Sequence, residues 1–285
     1  MCDLSKNGQL DLYFDATGSI LQKIPEQHRS LLYSLVIKDE EDLPPISVAD
    51  FLTTDHTVPA LCHFLSCILR VGVVQQKHRI NPRKVETDWS WSLIQSSLQT
   101  FNRMSVKAYL NISMSVHQRT YSLVGELTVV HLCTAHMMHN LAINLRDTTK
   151  KGKPLRKMLM QMFSCLINTT GLKEASVVFK DCCLILKSQR LSKSVSEAVK
   201  RITDMAPALN QEDDEEVTNP WPIGDGDHDQ FIDGGTIREA SPFTEFFQKI
   251  ADGIELNEDE DDEPKRTSRR STWISFFANI CPSTL

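Results

Sequence analysis

Two aspartates stand at matching points of two strand-like segments. Asp15 closes the apolar run Leu10-Asp11-Leu12-Tyr13-Phe14, and Asp88 closes Lys84-Val85-Glu86-Thr87 just ahead of a Trp-rich helix. A carboxylate placed where a strand leaves its sheet is held rigidly and faces the edge where ligands enter, which suits a divalent-cation site for phosphoryl transfer. Their separation of 73 residues leaves room for two strands and a helix before the second carboxylate returns beside the first. Paired carboxylates on adjacent strands bind Mg²⁺ and, with two ions, stabilise attacking and leaving oxygens at phosphorus. Aspartate is also common at strand ends and turns, so Asp15 before Thr17-Gly18 can equally be read as a hairpin cap.

Three further groups of residues carry chemistry. Cys133, His136 and His139 have the spacing of zinc ligands at a strand-helix junction, yet no fourth partner follows at a convincing distance. A structural role is the preferred reading for Cys133 and His136, with zinc as the minor alternative. Arg146, Lys150, Lys151, Lys153, Arg156 and Lys157 form a basic block behind that junction. Lys150, Lys151, Lys153, Arg156 and Lys157 could hold a phosphate backbone, and a solvated loop between helices accounts for the same residues. Trp89 and Trp91 flank Asp88 as stacking platforms for a base, although helical spacing makes Trp91 a core residue first.

The elements that must position these groups follow from periodicity. Residues 9–21, 31–37 and 46–51 read as three strands joined by short loops, an antiparallel meander. A helix over 57–71 follows, with Thr57 as its cap and Pro59 in its first turn. Residues 84–87 form a short strand, and 90–101 a helix with Trp91, Ile94, Leu98 and Phe101 on one face. A further helix covers 106–116. The β-branched run 127–133 is a buried strand leading into a helix over 135–145. Residues 153–205 look helical throughout, 206–240 lack periodicity and are rich in acids and proline, and 241–254 form a Ser-capped amphipathic helix. No internal repeat is present.

Composition narrows the class. At 285 residues, 41% hydrophobic and 24% charged, the chain can build a sizeable core. A net charge of −6 excludes a basic surface over the whole chain and leaves local basic patches open. No apolar run is long enough to span a bilayer, and Met1 to Lys6 lack the features of a secretory signal, so an intracellular protein is expected. Eight cysteines in such a chain read as reduced, mostly buried thiols. The glycosylation patterns at Asn111 and Asn168 are then chance matches.

The order of motifs resembles the catalytic domain of Mutator-like DDE transposases. The similarity rests on Leu12 to Gly18, on Val85-Glu86-Thr87-Asp88-Trp89-Ser90, and on Cys133-Thr134-Ala135-His136 leading to Asn140, across about residues 9–145. It implies a ribonuclease H-like α/β fold, with a β-β-β-α-β-α-β mixed sheet followed by a helical insertion and a poorly ordered acidic C-terminal region. The implied organisation is a core over 9–147, an insertion over 148–205, a linker over 206–240, and a C-terminal helix and tail over 241–285. Asp15 and Asp88 would each ligate catalytic Mg²⁺ or Mn²⁺, and Cys133 and His136 would pack near them. The family also needs a glutamate on a helix after the insertion, for which Glu245 is the candidate. DNA is the implied partner, homo-oligomers are compatible with the family, and the implied location is the nucleus.

Two functions fit these expectations. One is a two-metal core for phosphodiester cleavage and strand transfer. The other is a non-catalytic protein of transposon origin that serves as a DNA-binding or protein-interaction module. A 3′–5′ exonuclease is set aside, because it would want a second acid two residues after Asp15, where Thr17 stands.

Overall fold

The computed structural model describes residues 10–18, 21–22, 28–38, 44–76, 80–120, 127–148, 153–188, 192–205 and 241–254. These residues fall into two compact units, with the division inside two helices. The first holds residues 10–109 and 127–137 and the second holds 110–120, 138–205 and 241–254. The acidic, proline-rich stretch 206–240 and the tail 255–285 lie outside the described residues.

The first unit is built on a five-stranded mixed sheet of order β3-β2-β1-β4-β5. The strands are β1 (Asp11–Thr17), β2 (Leu31–Ile37), β3 (Ile46–Thr53), β4 (Lys84–Thr87) and β5 (Val129–Leu132). β1, β2 and β3 pair antiparallel, as the meander predicts, whereas β1, β4 and β5 run parallel. Alternation decides which face is buried. Leu12 and Phe14 of β1 and Leu31, Tyr33, Leu35 and Ile37 of β2 point into one core with Val85 of β4. Each fully buried Leu or Phe contributes about 1.5–3 kcal/mol, so a one-residue slip, which would turn the whole set toward solvent, is strongly disfavoured.

Helices cover that face. α1 (Val58–Gln76) brings Leu61, Phe64 and Leu65 onto it, with the Phe64 ring 5.1 Å from Phe51 and 6.1 Å from Phe14. α2 (Trp91–Ser97) runs into a π turn, Leu98–Asn102, that ends at Arg103 in the left-handed region with φ 56°. Its buried side carries Leu93, Ser96 and Ser97 before Leu98 and Phe101. Trp91 and Ile94, expected on the core face, are only half-buried. The small Ser96 lets α2 approach α1, where the Cys62 thiol donates to the Ser96 carbonyl at 3.8 Å.

The expected strand over 9–21 is shorter, and Asp15 lies inside β1 rather than at its end. Pairing with β4 stops at Phe14 and Thr87, while pairing with β2 continues through Ala16 and Thr17. The expected strand over 127–133 is also trimmed. Asn102 replaces a strand at its start, accepting from the Thr128 amide and donating to the Thr128 carbonyl, both at 2.8 Å. α3 (Val106–His117) precedes β5, and α4 (Thr134–Thr148) follows it. Each of these two helices crosses from one unit to the other.

The second unit is helical: α5 (Lys153–Ile167), α6 (Leu172–Lys187), α7 (Lys193–Met205) and α8 (Pro242–Asp252), with parts of α3 and α4. The region 153–205, expected to be helical throughout, is divided among three helices. The first break is at Gly171, whose extended backbone precedes α6 while Thr170 donates ahead to Glu174 at 2.9 Å. Phe163, Phe179, Phe243 and Phe247 fill the core, with Phe179 and Phe247 rings 4.9 Å apart. Arg201 of α7 donates twice to the buried Asp181 carboxylate of α6, each at 2.7 Å. Ser241 caps α8 by accepting from the Thr244 amide at 3.1 Å, as expected from Ser241-Pro242.

Cys165, Cys182 and Cys183 are buried and in no disulfide, and burial pushes the Cys183 thiol up to about 12. Among the described residues no helix is long and apolar enough to cross a membrane.

Candidate functional site

The site grows from the register of β1 and β4. Phe14 is paired with Thr87, so the next residues, Asp15 and Asp88, stand side by side where the two parallel strands part. Leu12, Phe14, Val85 and Thr87 face the core, and Asp15 is exposed on the opposite face. β5 extends the level by one more strand, because the Cys133 amide donates to the Thr87 carbonyl at 2.7 Å. Cys133 then begins α4, accepting from the Met137 amide at 3.1 Å. His136 follows, exposed in the first turn.

Electrostatics mark the same place. Asp88 is half-buried, and its proton affinity is raised to about 6, first by burial and then by the Asp15 charge. The Ser90 amide, donating to Asp88 Oδ1 at 2.8 Å, and the nearby His136 act in the opposite direction. The Ser90 contact also turns the chain into α2. Asp15 Oδ1 accepts from the Ala16 amide at 2.8 Å, which restrains the carboxylate on the exposed face.

A charged ladder continues along this face toward the start of the strands. Arg83 donates twice to Asp11, at 2.9 and 2.7 Å, and Lys84 donates to Glu86 at 3.2 Å. His131 Nδ1 lies 3.7 Å from Glu86 Oε2. The nearby His131 first, then Lys84, hold the Glu86 carboxyl below the usual range despite partial burial.

Beneath the site, the buried Tyr33 and the half-buried His56 form a polar pair that sequence reading missed. His56 Nε2 is 2.8 Å from the Arg29 carbonyl, which can only accept, so Nε2 carries the proton. In the neutral ring Nδ1 then accepts from the Tyr33 hydroxyl at 3.0 Å. Burial, then the charges of Asp88 and Asp55, push the Tyr33 phenol well above its ordinary range.

The other expected residues are placed as follows. Glu245 is exposed in the first turn of α8, in the second unit, while its neighbours Phe243 and Phe247 face that unit's core. Lys150 and Lys151 lie outside the described residues, and Lys153 begins α5. Arg156 is half-buried and Lys157 exposed on that helix. Trp89 is half-buried beside Asp88. Among the described residues no group of three or more His, Cys, Asp or Glu is disposed to hold a metal ion, so Cys133, His136 and His139 are not gathered into a zinc cluster.

Two adjacent carboxylates, of which Asp15 raises the proton affinity of Asp88, fit a hard divalent cation. Mg²⁺ and Mn²⁺ accept oxygen donors, and Mg²⁺ commonly takes one or two carboxylates and completes its shell with water and phosphate oxygens. The residues present supply the carboxylates of such a set. No family model, curated protein or solved structure matches this chain.

Proposed function

We propose that the first unit is a metal-dependent phosphodiester-cleaving and strand-transferring core of the DDE type, with a ribonuclease H-like sheet, related to Mutator-like transposases. The observation that carries this reading is the convergence of Asp15 and Asp88 at the point where β1 and β4 part, with Asp88 held at about 6 by burial and by Asp15. The sheet order and the Cys133/His136 junction beside Asp88 support it.

Asp15 and Asp88 would hold Mg²⁺ or Mn²⁺, and the chemistry such an ion would supply is polarisation of the phosphodiester and a lowered proton affinity of the attacking water or hydroxyl. Asp15 presents its exposed carboxylate from a strand of the sheet. Asp88, fixed by the Ser90 amide, is largely ionised at pH 7 and is therefore available as a ligand. His136, exposed next to Asp88, is placed to donate a hydrogen bond to a phosphate oxygen. DNA is the substrate and the nucleus the place of action, and Lys150, Lys151, Lys153, Arg156 and Lys157 contact the DNA backbone.

A second reading is favoured by the setting of Glu245. An acidic residue in the first turn is favourable to the dipole of α8, so Glu245 has a structural reason to be there without a catalytic part. On that reading the chain is a non-catalytic DNA-binding or protein-interaction module.

Mn²⁺-dependent nicking and strand transfer on short duplex DNA separate the two. Activity in the wild type that is lost in Asp15→Ala and in Asp88→Ala supports the enzyme. A wild-type chain with no activity on DNA that it nevertheless binds supports the module.

A further inference from the structure

The row of residues that contains Asp15 continues outward on the open face to the edge of the sheet. Ser34 of β2 is paired with Asp15 on one side and with Asp50 of β3 on the other. The Ser34 hydroxyl donates to Asp50 Oδ1 at 2.6 Å, and the Ser47 hydroxyl donates to the same oxygen at 3.0 Å. Strict alternation would put Ser47 and Asp50 on opposite faces of β3. The register shifts between Leu35 and Val36, whose partners are Ala49 and Ser47, so Val48 is an extra residue in β3. That bulge returns Ser47 to the face of Asp50. Bulges recur beside functional sites because they re-aim a side chain in this way.

A serine hydroxyl has one proton and two lone pairs. With its proton committed to Asp50, Ser34 is left as an acceptor next to Asp15. Residues directly opposed on antiparallel strands have β-carbons about 4.5–5.5 Å apart, so the Ser34 oxygen lies within the reach of one water of the Asp15 carboxylate. A cation held by two carboxylates keeps several waters, and those waters are donors that need acceptors.

We propose that Ser34, oriented by Asp50, is a positioning residue that accepts a hydrogen bond from the hydration shell of a divalent cation held by Asp15 and Asp88. This inference rests on the cation site under Proposed function and deepens it. Asp50 acts through the Ser34 hydroxyl, and Ser47 keeps Asp50 in place. Partners of this kind, one step removed from the ion, typically change metal affinity by about 10–100-fold when lost.

The test is Mn²⁺ binding to the full chain by titration calorimetry, with the thermal midpoint of each variant recorded without metal. Ser34→Ala and Asp50→Ala should each weaken Mn²⁺ about tenfold, and the double variant no more than either alone. Ser34→Thr, which keeps the hydroxyl, and Asp50→Asn, which keeps the accepting oxygen, should stay near wild type. Equal loss in Asp50→Asn and Asp50→Ala would mean that Asp50 acts by charge, which overturns the proposal. Wild-type affinity in Ser34→Ala, with binding abolished in Asp15→Ala, overturns this inference alone. Mn²⁺ binding that survives Asp15→Ala, or is absent from the wild type, overturns the cation site itself.

Discussion

Asp88 lies one residue beyond Thr87, the partner of Phe14, and therefore stands beside Asp15 across two parallel strands. The fold thus holds two carboxylates together against their mutual repulsion, and a group kept under such tension has a measurable signature in stability.

Asp88 titrates near 6 in the folded chain against 3.8 ordinarily. A raised carboxyl binds its proton more tightly when folded, so its stabilising contribution is fully present below about pH 4 and is lost as pH rises through about 6. At about 1.4 kcal/mol per pH unit, the loss is at most about 3 kcal/mol. Asp88→Asn should therefore raise the thermal midpoint at pH 7 and match the wild type near pH 4. Equal differences at both values would show that the effect is not ionisation.

Binding of a cation to the folded chain stabilises it by mass action, by about 2.7 kcal/mol at a hundredfold excess over the dissociation constant. Thermal melts with millimolar Mn²⁺ should show a higher midpoint for the wild type and no shift for Asp15→Ala or Asp88→Ala. A shift of the same size in all three proteins would place the ion elsewhere.

Thr87 is 2% exposed, and its hydroxyl has no hydrogen-bond partner among the described residues. A buried hydroxyl left unpaired costs about 1–3 kcal/mol, whereas valine has nearly the same shape and no polar atom. Thr87→Val should raise stability by about 1 kcal/mol in denaturant melts. Destabilisation would mean that the hydroxyl is satisfied.

Asp181 is 7% exposed and depends on Arg201, whose side chain remains half-exposed. Removing the exposed partner strands the buried charge, and removing the buried one leaves a cation that water can solvate. Arg201→Met should cost about 2–3 kcal/mol and Asp181→Ala less, by urea unfolding at pH 7. The reverse ranking would refute this account.

Much of the first unit was legible in the chain. Alternation in residues 11–17 and 31–37 fixes which side chains face its core, and in the second unit Ser241-Pro242 marks the start of α8, because these signals act within a few residues. The break at Gly171 was hidden, since Leu172 to Lys187 resumes the same helical period after a gap of a few residues. The roles of Ser34 and Asp50 were hidden for a different reason. They depend on which residues of β2 and β3 lie opposite each other, and on an extra Val48 that no local pattern announces.

By itself the sequence determined the element types and the presence of Asp88, Cys133 and His136 at strand ends or junctions, because side-chain period and turn chemistry are local properties. Tertiary structure alone decided that Asp15 lies within β1, that Asp88 stands next to it, and that Ser34 lies opposite both Asp15 and Asp50. Those relationships are set by strand register, and register follows from burying Leu12, Phe14, Tyr33 and Val85 in one core across segments far apart in the chain.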